Sequence, residues 1–224
     1  MPTINRGLLK KSIAVQAIPE FIDEFDYVYI SRYMNGLEPQ SVENQPWPQY
    51  QTDATVSFCI AHNHQNLILK FEVKEKQLNA AIRQENADVH KDNCVELFIA
   101  IGEDDAYYNL EFNCLGSAKI GYGTGKEDRT MLHKEAINQI QVYATLDFKT
   151  NVPDPLFVWE MFLIIPKTVF QFSTITTFEG LKCRANFYKC GDNLKEPHFL
   201  AWNMIHSALP DFHQPEFFGE LIFT

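Results

Sequence analysis

The sequence predicts an all-β fold: a two-sheet antiparallel β-sandwich, jelly-roll-like, with a few short helical turns. Three observations predict it. In the strongest segments apolar residues recur at every second position, the period of a strand with one buried face. Gly and Pro fall between those segments, in GTGKEDR, NVPDP, CGDNLKEP and HQPEFFG. Helical patterns are few and short, so many alternating strands with one apolar set have to bury it sheet against sheet.

In TVSFCIAH, Val56, Phe58 and Ile60 share one face; in LILKFEVKE, Leu67, Leu69, Phe71 and Val73 oppose Lys70, Glu72 and Lys74. The polar stretch HNHQN between them reads as an exposed hairpin turn. Leu78 to Ala87, LNAAIRQENA, reads as a short helix or an excursion. Two strands then flank the acidic turn Gly102–Asp105. The first points Val95, Leu97, Ile99 and Ile101 to the core and Glu96 and Phe98 away. The second, YYNLEFNC, sets Tyr108, Leu110, Phe112 and Cys114 against Asn109, Glu111 and Asn113. Further strands are predicted at Ser117–Tyr122, Gln139–Leu146, Val158–Ile165, Lys182–Tyr188, Phe199–Asn203 and Gly219–Phe223, with one helical turn in PKTVFQF after Pro166. No repeat, linker or shift in composition marks a boundary, so residues 1–224 read as one domain.

With 46% hydrophobic residues and 18 Phe, the chain can bury a large core, which excludes a disordered protein. A net charge of −10 disfavours nucleic acid and anionic membranes as partners, since phosphate binding needs clustered Lys and Arg. No run of 18 apolar residues predicts a membrane-spanning helix. The first residues are basic but lack an uninterrupted apolar block, and are not read as a signal peptide. Five cysteines without CxxC spacing, and no Asn-x-Ser/Thr sequon, favour a reduced compartment; a secreted or periplasmic chain with its signal removed is the alternative.

Glu96 and Glu111 pose the functional question, because acids are unfavourable inside strands unless their face meets water, a cation or a ligand. A glycosidase pair, a ligand groove and a solvated sheet face all fit. His62 and His64 could ligate a metal, although an exposed turn accounts for them, and Gly102–Asp105 lacks the spaced ligands of a calcium loop. No nucleophile elbow, phosphate loop or dinucleotide fingerprint is present. Saccharide sites combine an aromatic face with amides, carboxylates and Arg. Asn109, Glu111, Asn113, Arg129, Asn186 and Tyr188 supply that mixture on the wet faces.

DNCVELFI, YYNLEFNCLG, RANFYKCGDNLKEPHFLAWN and PDFHQPEFFGELIF, in this order, resemble the carbohydrate-binding module family 9-like domains of the DOMON-like β-sandwich group. The resemblance implies a non-catalytic saccharide-binding role rather than an enzyme. It implies association with xylan breakdown, and bound calcium, whose ligands have no clear match here. It places His90 and Phe212 where the family's sugar slot has two tryptophans, and makes Glu96 a sugar-contacting position. Asn109, Glu111 and Asn113 match the polar side of the next strand, where the family can place an arginine at the position of Glu111; Arg129 joins the expected site from the residue mixture above. Trp202 matches a further Trp of the pattern. Three rivals remain: a glycoside hydrolase using Glu96 and Glu111, a haem or redox relative using Met161 or Met204 with His, and a sandwich whose sugar site has become a protein-contact surface.

Overall fold

In the computed structural model, residues 10–19, 27–151 and 153–224 are described. The signal-peptide reading falls partly on residues 1–9 and 20–21, outside them. The strands in chain order are β1 (Ser12–Ala17), β2 (Gln40–Ser41), β3 (Thr55–His62), β4 (Asn66–Glu75), β5 (Cys94–Ile101), β6 (Tyr107–Asn113), β7 (Ala118–Gly123), β8 (Arg129–Met131), β9 (Gln141–Lys149), β10 (Leu156–Pro166), β11 (Lys182–Cys190), β12 (Phe199–Ala201) and β13 (Gly219–Phe223). Two α-helices, α1 (Tyr27–Asn35) and α2 (Lys134–Ile137), and four short 3-10 turns complete the described residues.

Hydrogen bonding follows one path, β8-β7-β6-β5-β11-β13-β1-β3-β4-β10-β9, with β12 on β11 and β2 on β3. The path folds into two facing sheets because alternate residues on both halves are apolar. Phe58, Phe71, Trp159 and Met161 from one half meet Leu97, Leu110, Phe112 and Phe187 from the other in one core. The rings of Phe58 and Phe187 stack at 3.7 Å across the gap. The joint is β1: Ser12–Val15 lie parallel to β13, and Gln16–Ala17 lie parallel to β3. Every other ladder is antiparallel, so the all-antiparallel expectation fails only at this joint.

Helix α1 covers the outer face of the second sheet, packing Ile30 and Met34 on Ala61, Ile68, Phe162 and Ile164. The helix considered for Leu78–Ala87 does not form. There the Asn79 amide donates to Asn93, and Arg83 grips Asp92 through Nε and a terminal nitrogen at 2.7 and 2.6 Å. These bonds lay the segment over the ends of β5 and β6, and tertiary contacts override helix propensity. The turn after Pro166 does form, at Lys167–Val169.

The HNHQN stretch is less exposed than its polarity suggests. His62 ends β3 fully buried, its Nε2 3.0 Å from the Thr224 carbonyl, while His64 Nδ1 sits 3.3 Å from Glu179. Met161 is sealed in the core, as is Trp202, which is therefore a packing residue and not a wall of a slot. No described helix is long and apolar enough to cross a membrane.

One buried charge cluster lies between the sheets. Lys189 Nζ is 2.9 Å from Glu75 Oε2 and 3.0 Å from His198 Nε2, and Trp159 Nε1 donates to Glu75 Oε1 at 2.7 Å. Burial pushes the Glu75 carboxyl up, but the Lys189 charge and hydrogen bonds from His198, Trp159 and Lys189 outweigh it, bringing the pKa down to about 2.

Candidate functional site

The outer face of the first sheet carries the cavity. Alternation along β5 sends Cys94, Glu96 and Phe98 outward, away from the core that takes Val95, Leu97 and Ile99. Antiparallel register then sets Glu111 opposite Glu96 and Asn109 opposite Phe98 on β6, and Cys190 opposite Cys94 and Tyr188 opposite Glu96 on β11. Segment 210–213 closes one side, and the 3-10 turn Val89–Lys91 holds His90 at the rim. The cavity, open to solvent on one side, has a volume of about 420 Å³, within the ordinary range for small-ligand sites.

Six of the seven residues singled out in the sequence line this cavity: His90, Glu96, Asn109, Glu111, Arg129 and Phe212. Asn113 does not. Its amide nitrogen donates to the Ala81 carbonyl and to Asp92, and its oxygen accepts the Leu115 and Ser117 amides, so it shapes the turn after β6.

Arg129 is a brace. Its Nε donates to Asn109 Oδ1 at 2.7 Å, its terminal nitrogens donate to the carbonyls of Tyr107, Gly121 and Gly125, and its carbon lies 4.5 Å from the Tyr107 ring centroid. Asn109 in turn donates to Glu111 Oε1 at 2.7 Å. This chain fixes the Glu111 carboxylate and leaves its second oxygen, Oε2, buried without a hydrogen-bond donor; the closest cationic candidate is His90 Nδ1, 3.6 Å away. Arg129 thus acts through Asn109 and Glu111, with its nitrogens already committed.

Glu96 is almost fully buried and accepts the Cys190 thiol at 3.1 Å. Burial, and then the Glu111 charge beside it, push its carboxyl well above the usual range. The two carboxylates sit side by side on neighbouring strands and approach a guest from the same side. Phe212 also lines the cavity. Its ring lies 4.1 Å from Tyr188 and nearly parallel to it, backed by Trp47. Near Phe212, His213 contacts the Phe98 ring at 4.8 Å and the Tyr107 hydroxyl at 2.8 Å. Burial, then the Arg129 charge, lower the His213 pKa to about 4, so the ring is neutral near pH 7.

Several lining residues escaped the sequence reading, among them Lys119, Cys190, Asp192 and Asp211. Lys119 was findable, because it follows Glu111 across the next hairpin, in register with it. Cys190 and Asp192 reach the site only because β11 pairs with β5, a contact between distant segments without a local signal.

Among the described residues no three carboxylates converge; the group able to hold one ion is Cys94, Glu96 and Cys190, and its thiols do not suit a cation that takes oxygen ligands.

The family model of carbohydrate-binding family 9 matches residues 29–223. Among solved structures, a putative carbohydrate-binding protein from Bacteroides uniformis is 33% identical with a TM-score of 0.85, over 96% of this chain and all of that one. A family 9 module from Caldicellulosiruptor kristjanssonii, solved with glucose and with cellotriose, is 17% identical with a TM-score of 0.56; the glucose complex aligns over 96% of both chains. The cellotriose complex covers 95% of this chain and 93% of the other. Nothing among curated proteins matches. With a sandwich of the same architecture and a family match running across nearly the whole sequence, the chain belongs to carbohydrate-binding family 9.

Proposed function

We propose that the cavity binds a saccharide without transforming it, seating a pyranose between His90 and Phe212 with its hydroxyls on Glu111 and Glu96. The observation that carries this is the unpartnered Glu111 Oε2, held in place by Asn109 and Arg129 in the lining of an aromatic-walled cavity. A buried carboxylate oxygen without a donor is costly, and a sugar hydroxyl supplies one. Each neutral hydrogen bond contributes about 0.5–1.5 kcal/mol net, so millimolar affinity, about −4 kcal/mol, needs several together with ring stacking.

The Caldicellulosiruptor kristjanssonii complexes with glucose and cellotriose support a gluco-configured ligand of the cellulose type, and a xylan-type ligand rests on the family resemblance alone. Service beside enzymes that break down such polysaccharides belongs to the same proposal. Side-by-side placement of Glu96 and Glu111 favours binding over hydrolysis, because glycosidases set their two carboxyls on either side of the scissile bond.

The test is isothermal titration with glucose, cellobiose, xylose and xylobiose, with and without calcium, on the wild type and on Phe212→Ala. Saturable heat that Phe212→Ala removes supports the site. Silence across the panel in folded protein overturns it, and so does turnover of an aryl glycoside that Glu111→Gln abolishes.

A further inference from the structure

At the floor of the cavity, Glu96 of the proposed saccharide site stands beside two thiols that saccharide binding does not use. Cys94 and Cys190 are directly opposite in the β5–β11 ladder, and Glu96, two residues from Cys94, projects from the same face. One ligand atom from each lies within 4.8 Å of the other two, and all three residues are buried. A tetrahedral zinc ion with Zn–S near 2.3 Å and Zn–O near 2.1 Å separates its ligand atoms by about 3.6 Å. Cys190 Sγ and Glu96 Oε1 are already 3.1 Å apart, so small rotations close the set. The thiols' backbone contacts are long, Cys94 to the Val95 carbonyl at 3.7 Å and Cys190 to that of His90 at 3.6 Å, and their remaining partners are each other and Asp192, all at the proposed site.

We infer that Cys94, Cys190 and Glu96 form a binding site for one thiophilic divalent cation of the zinc class, with its fourth position open to the cavity.

Two sulfurs and one oxygen select zinc or cadmium over calcium and magnesium, which take oxygen ligands. Glu96 and Cys190 line the cavity and Cys94 does not, so the three ligands cap the ion from below and leave the cavity side for water or Asp192. Each thiol releases its proton to solvent as its sulfur ligates. A disulfide between the same two cysteines is the rival outcome, since opposed residues of an antiparallel pair are within bridging reach. It would take the thiol proton from Glu96 Oε1 and leave that buried oxygen without a donor, whereas a cation satisfies all three groups.

The test uses reduced, chelator-stripped protein whose five cysteines titrate as free thiols after denaturation. Zinc is titrated calorimetrically, and cobalt(II) is followed by absorption. The expected result is one equivalent of either metal, with a thiolate-to-cobalt charge-transfer band and the visible bands of a tetrahedral ion. Millimolar calcium should not displace it. Loss of outer-shell partners commonly weakens metal sites 10- to 100-fold, so Cys190→Ala, which removes a ligand, should weaken zinc about 100-fold or more. Glu96→Gln should weaken zinc about 10-fold while keeping the thiolate band. Melting curves establish that the variants fold, and Cys94→Ala serves as a second thiol variant if Cys190→Ala does not. A folded wild type with free thiols that takes up no more zinc than the Ala variants overturns the inference, as does ready formation of a Cys94–Cys190 disulfide with no metal uptake by the reduced form. No saccharide enters the assay, so this reading and the sugar reading fail separately.

Discussion

Lys189 occupies a core-facing position of β11, where Cys183, Ala185 and Phe187 precede it on the same side, and its counter-charge is Glu75 on the opposite sheet. Replacing Lys189 with Met removes one member of a pair whose side chains are 0% and 1% exposed. Truncating one partner of such a pair costs about 3–5 kcal/mol, because the other is left as an uncompensated buried charge. The carboxyl's titration reports the whole cluster, Lys189 together with His198 and Trp159 against burial. The Glu75 carboxyl is lowered from 4.5 to about 2, which at 1.36 kcal/mol per unit corresponds to about 3 kcal/mol. The folded pKa is depressed, so this stability is fully present above pH 4.5 and is lost as pH falls from there through 2. Against a typical total of about 5–15 kcal/mol, it is a large share. Urea unfolding followed by circular dichroism and by the fluorescence of the three tryptophans, of which Trp159 bonds to Glu75, measures it for Lys189→Met, Glu75→Gln and the double variant. The double should be less destabilised than the sum of the singles by about 2 kcal/mol or more. The acid loss of stability should be smaller in Glu75→Gln than in the wild type. A Lys189→Met cost under about 1 kcal/mol, or strict additivity, would refute the pairing as an energetic unit.

Three other outcomes follow from the site. Glu111→Gln keeps the shape of the carboxylate and the amide contact of Asn109 but removes the charge; sugar affinity in calorimetric titration should fall about 10- to 100-fold, since hydrogen bonds to charged groups contribute about 1.5–3 kcal/mol. Arg129→Lys should both lower stability, by about 1–3 kcal/mol in urea, and weaken sugar binding, because one ammonium cannot span Asn109 and three carbonyls. Retention of wild-type affinity would show that Glu111 needs no brace. Gly123→Ala would put a methyl 1.8 Å from the Asp128 carbonyl oxygen in the turn that delivers Arg129. It should cost about 3 kcal/mol or more, and a change within about 0.5 kcal/mol in the same melts would contradict the close approach.

Much of this architecture is legible because a strand with one buried face writes itself at period two. That pattern places Glu96 and Phe98 opposite Val95 and Leu97, and it puts Glu96 and Glu111 on one face of adjacent strands, as the β5–β6 register shows. Parity has limits. Asn113 shares the face of Glu111, but parity does not say where the cavity stops, and Asn113 lies past its edge in the Asp92 network. Strand order between distant segments leaves no local trace, so neither Cys190 opposite Cys94 nor Lys189 against Glu75 could be read. In SIAVQA only Ile13 and Val15 alternate with polar or small residues, too few for a strand signal, and yet that strand joins the sheets. The Leu78–Ala87 stretch has helical composition, and side chains from Asp92 and Asn93 hold it open.

The parallel seat of β1 also sets an order of events during synthesis. Its partner β13 lies at the far end of the sequence; the Thr224 hydroxyl bonds to the Val15 carbonyl across 209 residues. At ribosomal speeds of about 5–20 residues per second, β1 waits roughly 10 to 40 s before β13 exists. Until then the first sheet lacks β13, and the Ser12–Val15 stretch of β1 has no partner strand. The β1–β13 pairing therefore cannot form until β13 has been made, and its large sequence separation makes its closure costly. A chain released before β13 would retain most of its hairpins but leave both sheets with an open edge where aggregation can begin.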